Sequence, residues 1–177
     1  MRKIFFLALG LAFILPGLTL AHGPTRLKAV ETIEVSAPPA EVWTIVKDFN
    51  GMPNWHPAIK ESTCEGCNDI GANRVLTLQD GGIIKENLEK YDEDGMRFFY
   101  RITEVDPKVL PINNYSAWLI VEDNGNGGSK VTWKGAFYRG FMGNNPPEDM
   151  TDAAAKKAII GVYKSGLENL KASVEGK

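Results

Sequence analysis

The sequence predicts an α+β domain: a curved antiparallel sheet of about seven strands wrapped on a long C-terminal helix, with two short helices after the first strand. Three observations predict it. Alternating apolar and polar segments recur between residues 30 and 138, punctuated by Asp-Gly and Gly-Gly pairs that read as hairpin turns. No helical periodicity interrupts the later strands, which excludes a doubly wound parallel sheet. One long amphipathic stretch then closes the chain after Thr151. Composition agrees, with 44% hydrophobic and 24% charged residues, 18 Gly, 10 Pro and 2 Cys among 177. Those values exclude collagen-like, low-complexity and disulfide-dense chains. A net charge of −2 without blocks of like charge argues against nucleic acid as a partner.

The first segment reads as an address. Met1-Arg2-Lys3 is basic, Ile4 to Leu15 is apolar, and Pro16-Gly17 precede the small-x-Ala exit Thr19-Leu20-Ala21. This is the grammar of a secretory signal peptide cleaved after Ala21. The apolar run falls short of the ~18 residues expected of a membrane span. Cleavage removes two positive charges from the net −2, leaving −4 on a single exported domain over residues 22–177. Periplasmic residence follows as an expectation.

Val30 to Val35 alternates as a half-buried strand, and Ser36-Ala37-Pro38-Pro39 ends it with a proline suited to a first helical turn. Val42, Trp43, Val46 and Phe49 recur at helical spacing; Met52 to Ala58 has room for one further turn. Strands follow over Ile59–Thr63, Arg74–Gln79, Ile83–Tyr91, Met96–Glu104, Tyr115–Val121 and Lys130–Tyr138. The segments Asp106–Asn114 and Arg139–Met150 read as loops without strand pairing. Thr151 is a good N-cap for the last helix, whose apolar face is Ala155, Ile159, Val162, Tyr163, Gly166, Leu167 and Leu170. Gly166 on that face permits a close approach by another group. Sheet and helix shield each other, and the gap between them is the expected pocket.

SAPPAEVWTIVKDF (Ser36 to Phe49), NWHP (Asn54 to Pro57) and this element order resemble the START-like helix-grip superfamily, also called SRPBCC or polyketide cyclase-like. Five further phrases resemble the MxaD family of exported accessory proteins of bacterial methanol oxidation. They are VLTLQDGG (75–82), DPKVLPINNYSA (106–117), WKGAFYRG (133–140), NNPPE (144–148) and GVYKSGLENLK (161–171). The resemblance implies a helix-grip fold and a non-enzymatic role. It further implies partners, methanol dehydrogenase and its cytochrome c, whose productive interaction the protein promotes. It carries no catalytic motif and implies no cofactor.

Cys64-Glu65-Gly66-Cys67 is followed by Asn68, so it is not a haem-attachment motif. A zinc site needs about four ligands, and only His22 and His56 accompany these cysteines, so no metal site is expected. Glu61, Glu65 and Asp69 surround the thiols, the reverse of the electropositive setting a redox-active pair needs. A disulfide pinning the turn is the reading adopted, worth about 2 kcal/mol at most for so short a loop.

His56 is a candidate general acid or base near pH 7, but no nucleophile and orienting carboxylate can be placed beside it. A packed histidine at the pocket rim is expected instead, so that His56→Ala leaves the fold nearly intact. His22, at the new N-terminus, has copper-chelating chemistry but is expected to be inert. Arg74 and Glu86 face each other if Leu76, Leu78, Ile84 and Leu88 point inward, and such a pair either orients a polar ligand or fixes the strand register. With Trp55, His56, Arg74 and Glu86, the residues Trp133, Phe137 and Tyr163 are the expected pocket lining. Phe141 and Met142 are the expected partner surface, together with Tyr115 if it is exposed.

Three roles follow, in order of preference: the periplasmic accessory protein, a carrier of a small hydrophobic ligand, and a cyclase-like enzyme using His56. The missing nucleophile–base constellation ranks the enzyme last.

Overall fold

The computed structural model describes residues 23–176. The signal-peptide assignment and His22 lie outside the described residues. Strand β1 (Leu27–Val35) leads into helix α1 (Pro39–Val46) and a single 3-10 turn (Met52–Asn54). Six strands follow: β2 (Ile59–Glu65), β3 (Asn73–Leu78), β4 (Ile83–Asp92), β5 (Arg97–Val105), β6 (Ile112–Asp123) and β7 (Ser129–Arg139). A second 3-10 turn (Glu148–Met150) precedes helix α2 (Asp152–Glu175). The strands form one antiparallel sheet in the order β1-β7-β6-β5-β4-β3-β2, a meander whose last strand returns beside the first. This is the helix-grip arrangement the sequence predicts.

Local chemistry accounts for the boundaries. Pro39 opens α1, whose Val42, Trp43 and Val46 are buried. The Thr151 hydroxyl accepts a hydrogen bond from the Ala154 amide at 3.2 Å and caps α2. The face of α2 that packs on the sheet is Ala155, Ile159, Tyr163, Gly166, Leu167, Leu170 and Val174, at three- and four-residue steps. No helix among the described residues is long and apolar enough to cross a membrane.

Three sequence expectations change. Met96 belongs to the turn, at φ 46°, and β5 starts at Arg97. Asp106–Asn114 is not wholly unpaired: β6 begins at Ile112, opposite Arg139 of β7. The Asn113-Asn114 pair that reads as a loop sits in a bulge, where Asn114 takes a left-handed conformation (φ 47°) that asparagine tolerates. Arg139 closes β7 rather than opening a loop. Its buried guanidinium donates to the carbonyls of Phe141 and Gly143, each at 2.8 Å, and pairs with Asp152 at 2.9 Å. One arginine thereby ties the β7–α2 connection to the start of α2. Cys64 and Cys67 are joined by a disulfide at the β2–β3 turn, with their Cα atoms 5.8 Å apart.

Candidate functional site

Sheet and α2 do not close completely. A largely enclosed cavity of about 110 Å³ remains between them, walled by apolar side chains from nearly every element. Leu76 and Leu78 come from β3, Ile84 from β4, Ile102 from β5, and Ile159 with Val162 from α2. Val109 and Leu110, in the β5–β6 connection, complete the wall. Four polar side chains reach it: His56, Glu86, Tyr100 and Tyr115, beside the indole of Trp133. A larger hollow of about 680 Å³ beside the disulfide turn is open to solvent.

Glu86 and Arg74 are register partners on β4 and β3, and both are buried. Arg74 Nε donates to Glu86 Oε2 at 2.6 Å. Its Nη1 donates to the Phe49 carbonyl, its Nη2 meets the Met52 sulfur at 3.5 Å, and the guanidinium lies 3.9 Å over the Phe49 ring. Each of the three guanidinium nitrogens of Arg74 thus has a partner. Glu86 Oε1 receives no hydrogen bond among the described residues, and Glu86 lines the cavity. Burial pushes the Glu86 carboxyl above its ordinary range, with Arg74 opposing that shift. Since the pair is formally neutral, the cavity presents a hydrogen-bond acceptor without net charge.

A chain of phenols runs beside it. Trp133 Nε1 donates to the Tyr100 hydroxyl at 3.0 Å; Tyr100 bonds Tyr115 at 3.0 Å, and Tyr115 bonds Tyr163 at 2.7 Å. Burial raises all three phenols well above their ordinary pKa, so they stay protonated. Such a network satisfies buried polar atoms and fixes the walls rather than moving protons at neutral pH.

His56 is not at a rim. It is 1% exposed, because α2 brings Gly166 directly beneath the ring. A Cβ on Gly166 would stand 2.5 Å from His56 Cδ2 and 3.0 Å from Trp133 Cζ3, so only glycine admits the imidazole there. Nε2 lies 3.1 Å from the Val162 carbonyl and Nδ1 accepts from the Ala58 amide at 3.2 Å. These partners fix the neutral tautomer with Nε2 protonated. Burial lowers the pKa below the usual 6.5. Both nitrogens are engaged, so the ring has no lone pair free to act as a base.

Of the residues expected to line the pocket, His56, Glu86 and Trp133 do so. Arg74 sits behind Glu86. Tyr163 stacks on the far side of Trp133, ring centroids 4.6 Å apart, and Trp55 meets Trp133 edge-on at 5.6 Å. Phe137 packs against Tyr115 at 6.2 Å. These four support the wall from behind. Tyr115 is buried, so it is no partner surface, whereas Phe141 and Met142 are 36% and 49% exposed. Tyr100, Ile102 and Ile84 were missed as lining although their alternation with Phe98 and Glu86 places them inward. For Val109 and Leu110 the sequence held no such signal. Among the described residues no group of three or more His, Cys, Asp or Glu converges to hold a metal.

A family model described as polyketide cyclase / dehydrase and lipid transport matches residues 26–175. The chain belongs to that family. Within the polyketide cyclase-like fold it is similar to the solved structure of XoxI from Bacillus cereus: 24% identical, TM-score 0.71, covering 84% of this chain and 95% of that one. A Thermobifida fusca protein is 28% identical with TM-score 0.67, covering 84% and 93%. Ginseng major latex-like protein 151 from Panax ginseng shares the fold at 15% identity, TM-score 0.66, covering 84% and 97%. No curated protein matches the chain. For a family whose description includes lipid transport the cavity is small. It is below the about 150 Å³ at which an engineered apolar cavity takes up benzene.

Proposed function

We propose that this chain acts outside the cytoplasm as a non-enzymatic accessory protein of methanol oxidation, of the MxaD type, promoting the interaction of methanol dehydrogenase with its cytochrome c. One observation carries the reading: four of the five phrases that resemble the MxaD family contribute to the walls of one cavity. Leu76 and Leu78 come from the first phrase, Val109, Leu110 and Tyr115 from the second, Trp133 from the third, and Val162 from the last. Resemblance gathered on the walls of one cavity reflects a shared site better than scattered surface identities would. The engagement of both His56 nitrogens supports a binding role over a catalytic one. The test is co-purification. A tagged exported chain retains methanol dehydrogenase or its cytochrome at low salt and releases it as salt rises, as charged transient contacts do. Retention of neither partner from a periplasmic extract that contains both contradicts the role.

A second reading, a carrier of a small ligand, is favoured by the free acceptor of Glu86 in an apolar, uncharged cavity. The ligand that fits is a neutral molecule of a few non-hydrogen atoms with one hydrogen-bond donor. Native mass spectrometry of exported protein checks it through a reproducible small adduct, which a Leu76→Trp variant that fills the cavity loses. Identical adduct-free spectra for both proteins refute the carrier.

A further inference from the structure

The face of the sheet opposite α2 carries a feature that the cavity does not use. A single cross-strand row, read through the pairings Val30↔Lys134, Lys134↔Trp118, Trp118↔Phe99 and Phe99↔Lys90, crosses five strands from β1 to β4. At its centre Trp118 and Phe99 pack with ring centroids 5.1 Å apart, and the Lys90 ammonium lies 5.8 Å from the Trp118 ring and 5.9 Å from Phe99. The two aromatic rings are half-buried, while Arg26, Lys28, Lys90 and Lys134 around them are exposed. A groove of about 340 Å³ runs over this floor, and no acidic residue lines it.

The segregation of charge is the informative part. The chain has 22 acidic and 20 basic residues, and four cations elsewhere on the sheet are matched: Lys85 with Glu104, Arg97 with Asp92, Arg101 with Glu89, Lys130 with Glu122. Arg26, Lys28, Lys90 and Lys134 form no ion pair among the described residues. The segment 1–22 contains no Asp or Glu that might supply one. Val30, at the edge of the groove, is 58% exposed, an apolar side chain left in water between two such cations. Unmatched cations around a recessed aromatic floor are complementary to carboxylates that flank a protruding apolar side chain.

We propose that this outer face of β1, β7, β6, β5 and β4 docks an acidic protein segment, with an apolar side chain seated between Trp118 and Val30 and carboxylates meeting Lys28, Lys134, Arg26 and Lys90. A protein segment fits better than a lipid surface because the aromatic rings lie below the cationic rim. Side chains that enter a bilayer stand above it. The proposal stands apart from the identity of the partner in methanol oxidation, and its test uses neither the dehydrogenase nor the cytochrome.

Trp118 supplies the readout. Trp43, Trp55 and Trp133 are buried, so acrylamide quenching of tryptophan fluorescence reports chiefly on Trp118. The probe is a short synthetic peptide with one leucine between runs of glutamate, titrated at low salt into the chain lacking residues 1–21. Binding is expected to protect the fluorescence from acrylamide. Lys28→Glu/Lys134→Glu weakens the peptide affinity at least about tenfold, as charge reversal at a complementary site does. Lys156→Glu/Lys157→Glu, on α2 across the sheet, makes the same change in net charge and leaves affinity unaltered; all four lysines are exposed, so both variants fold. Absence of protection by the peptide, equal weakening in both double variants, or protection by phosphatidylglycerol vesicles but not by the peptide overturns the proposal.

Discussion

Replacing His56 by alanine tests the packing of the site at its most constrained point. The ring fills the space between Trp133, met edge-on with centroids 5.9 Å apart, and the bare backbone of Gly166. Alanine leaves a void there and removes the acceptor of the buried Ala58 amide as well as the contact to the Val162 carbonyl. A buried amide without a partner costs about 1–3 kcal/mol and the cavity adds to it, so a loss of roughly 2–4 kcal/mol is expected. This reverses the expectation drawn from the sequence, in which a rim residue was dispensable. The pH dependence sharpens the test. Burial holds the native pKa of His56 below 6.5, so the unfolded chain binds a proton that the native protein refuses. The stability His56 supplies is therefore complete above about pH 6.5 and is lost as pH falls below it. Urea denaturation of both proteins reads the difference, which should be smaller at pH 5.5 than at pH 7.5. A cost under about 1 kcal/mol, or a difference independent of pH, refutes the placement of a neutral, fully packed imidazole.

Three further outcomes follow from the same geometry. Arg74→Met strands a buried carboxylate and should cost about 3–5 kcal/mol, whereas Arg74→Met/Glu86→Leu should recover most of that loss in chemical denaturation. Gly166→Ala forces a methyl against the His56 and Trp133 rings, inside ordinary contact distance of both. It should lower the melting temperature by several degrees, although alanine is the better helix former at an exposed site. Arg139→Ala releases the Phe141 and Gly143 carbonyls and Asp152 together, so limited proteolysis should cut the β7–α2 connection faster while the rest of the domain stays folded.

Much of this site was written in local pattern. The α2 face was legible because its apolar residues recur every three or four positions, and Gly166 stood out as the one gap in that stripe. The Arg74–Glu86 pair followed once the Asp80-Gly81-Gly82 turn set the register, since a shift of one residue would have turned one charge outward. Other features depend on contacts distant in sequence. His56 looked like a rim residue because nothing near it shows that Gly166, far along the chain, lies beneath its ring. Phe137 and Tyr163 point toward the core as expected, but Tyr115 and Trp133 stand between them and the cavity. The basic row on the outer face appears only when β7 returns to pair with β1, which joins Val30 to Lys134 and Trp118.

The proposed role is to promote a redox partnership without catalysis by this chain. The measurement that tests it most directly is the rate of electron transfer from purified methanol dehydrogenase to its cytochrome c, with and without the chain lacking residues 1–21, over a range of ionic strength. Acceleration at low salt that fades as salt rises is expected, with no turnover when the protein is given methanol and cytochrome alone. An unchanged transfer rate at every ionic strength, or turnover by the protein by itself, contradicts it.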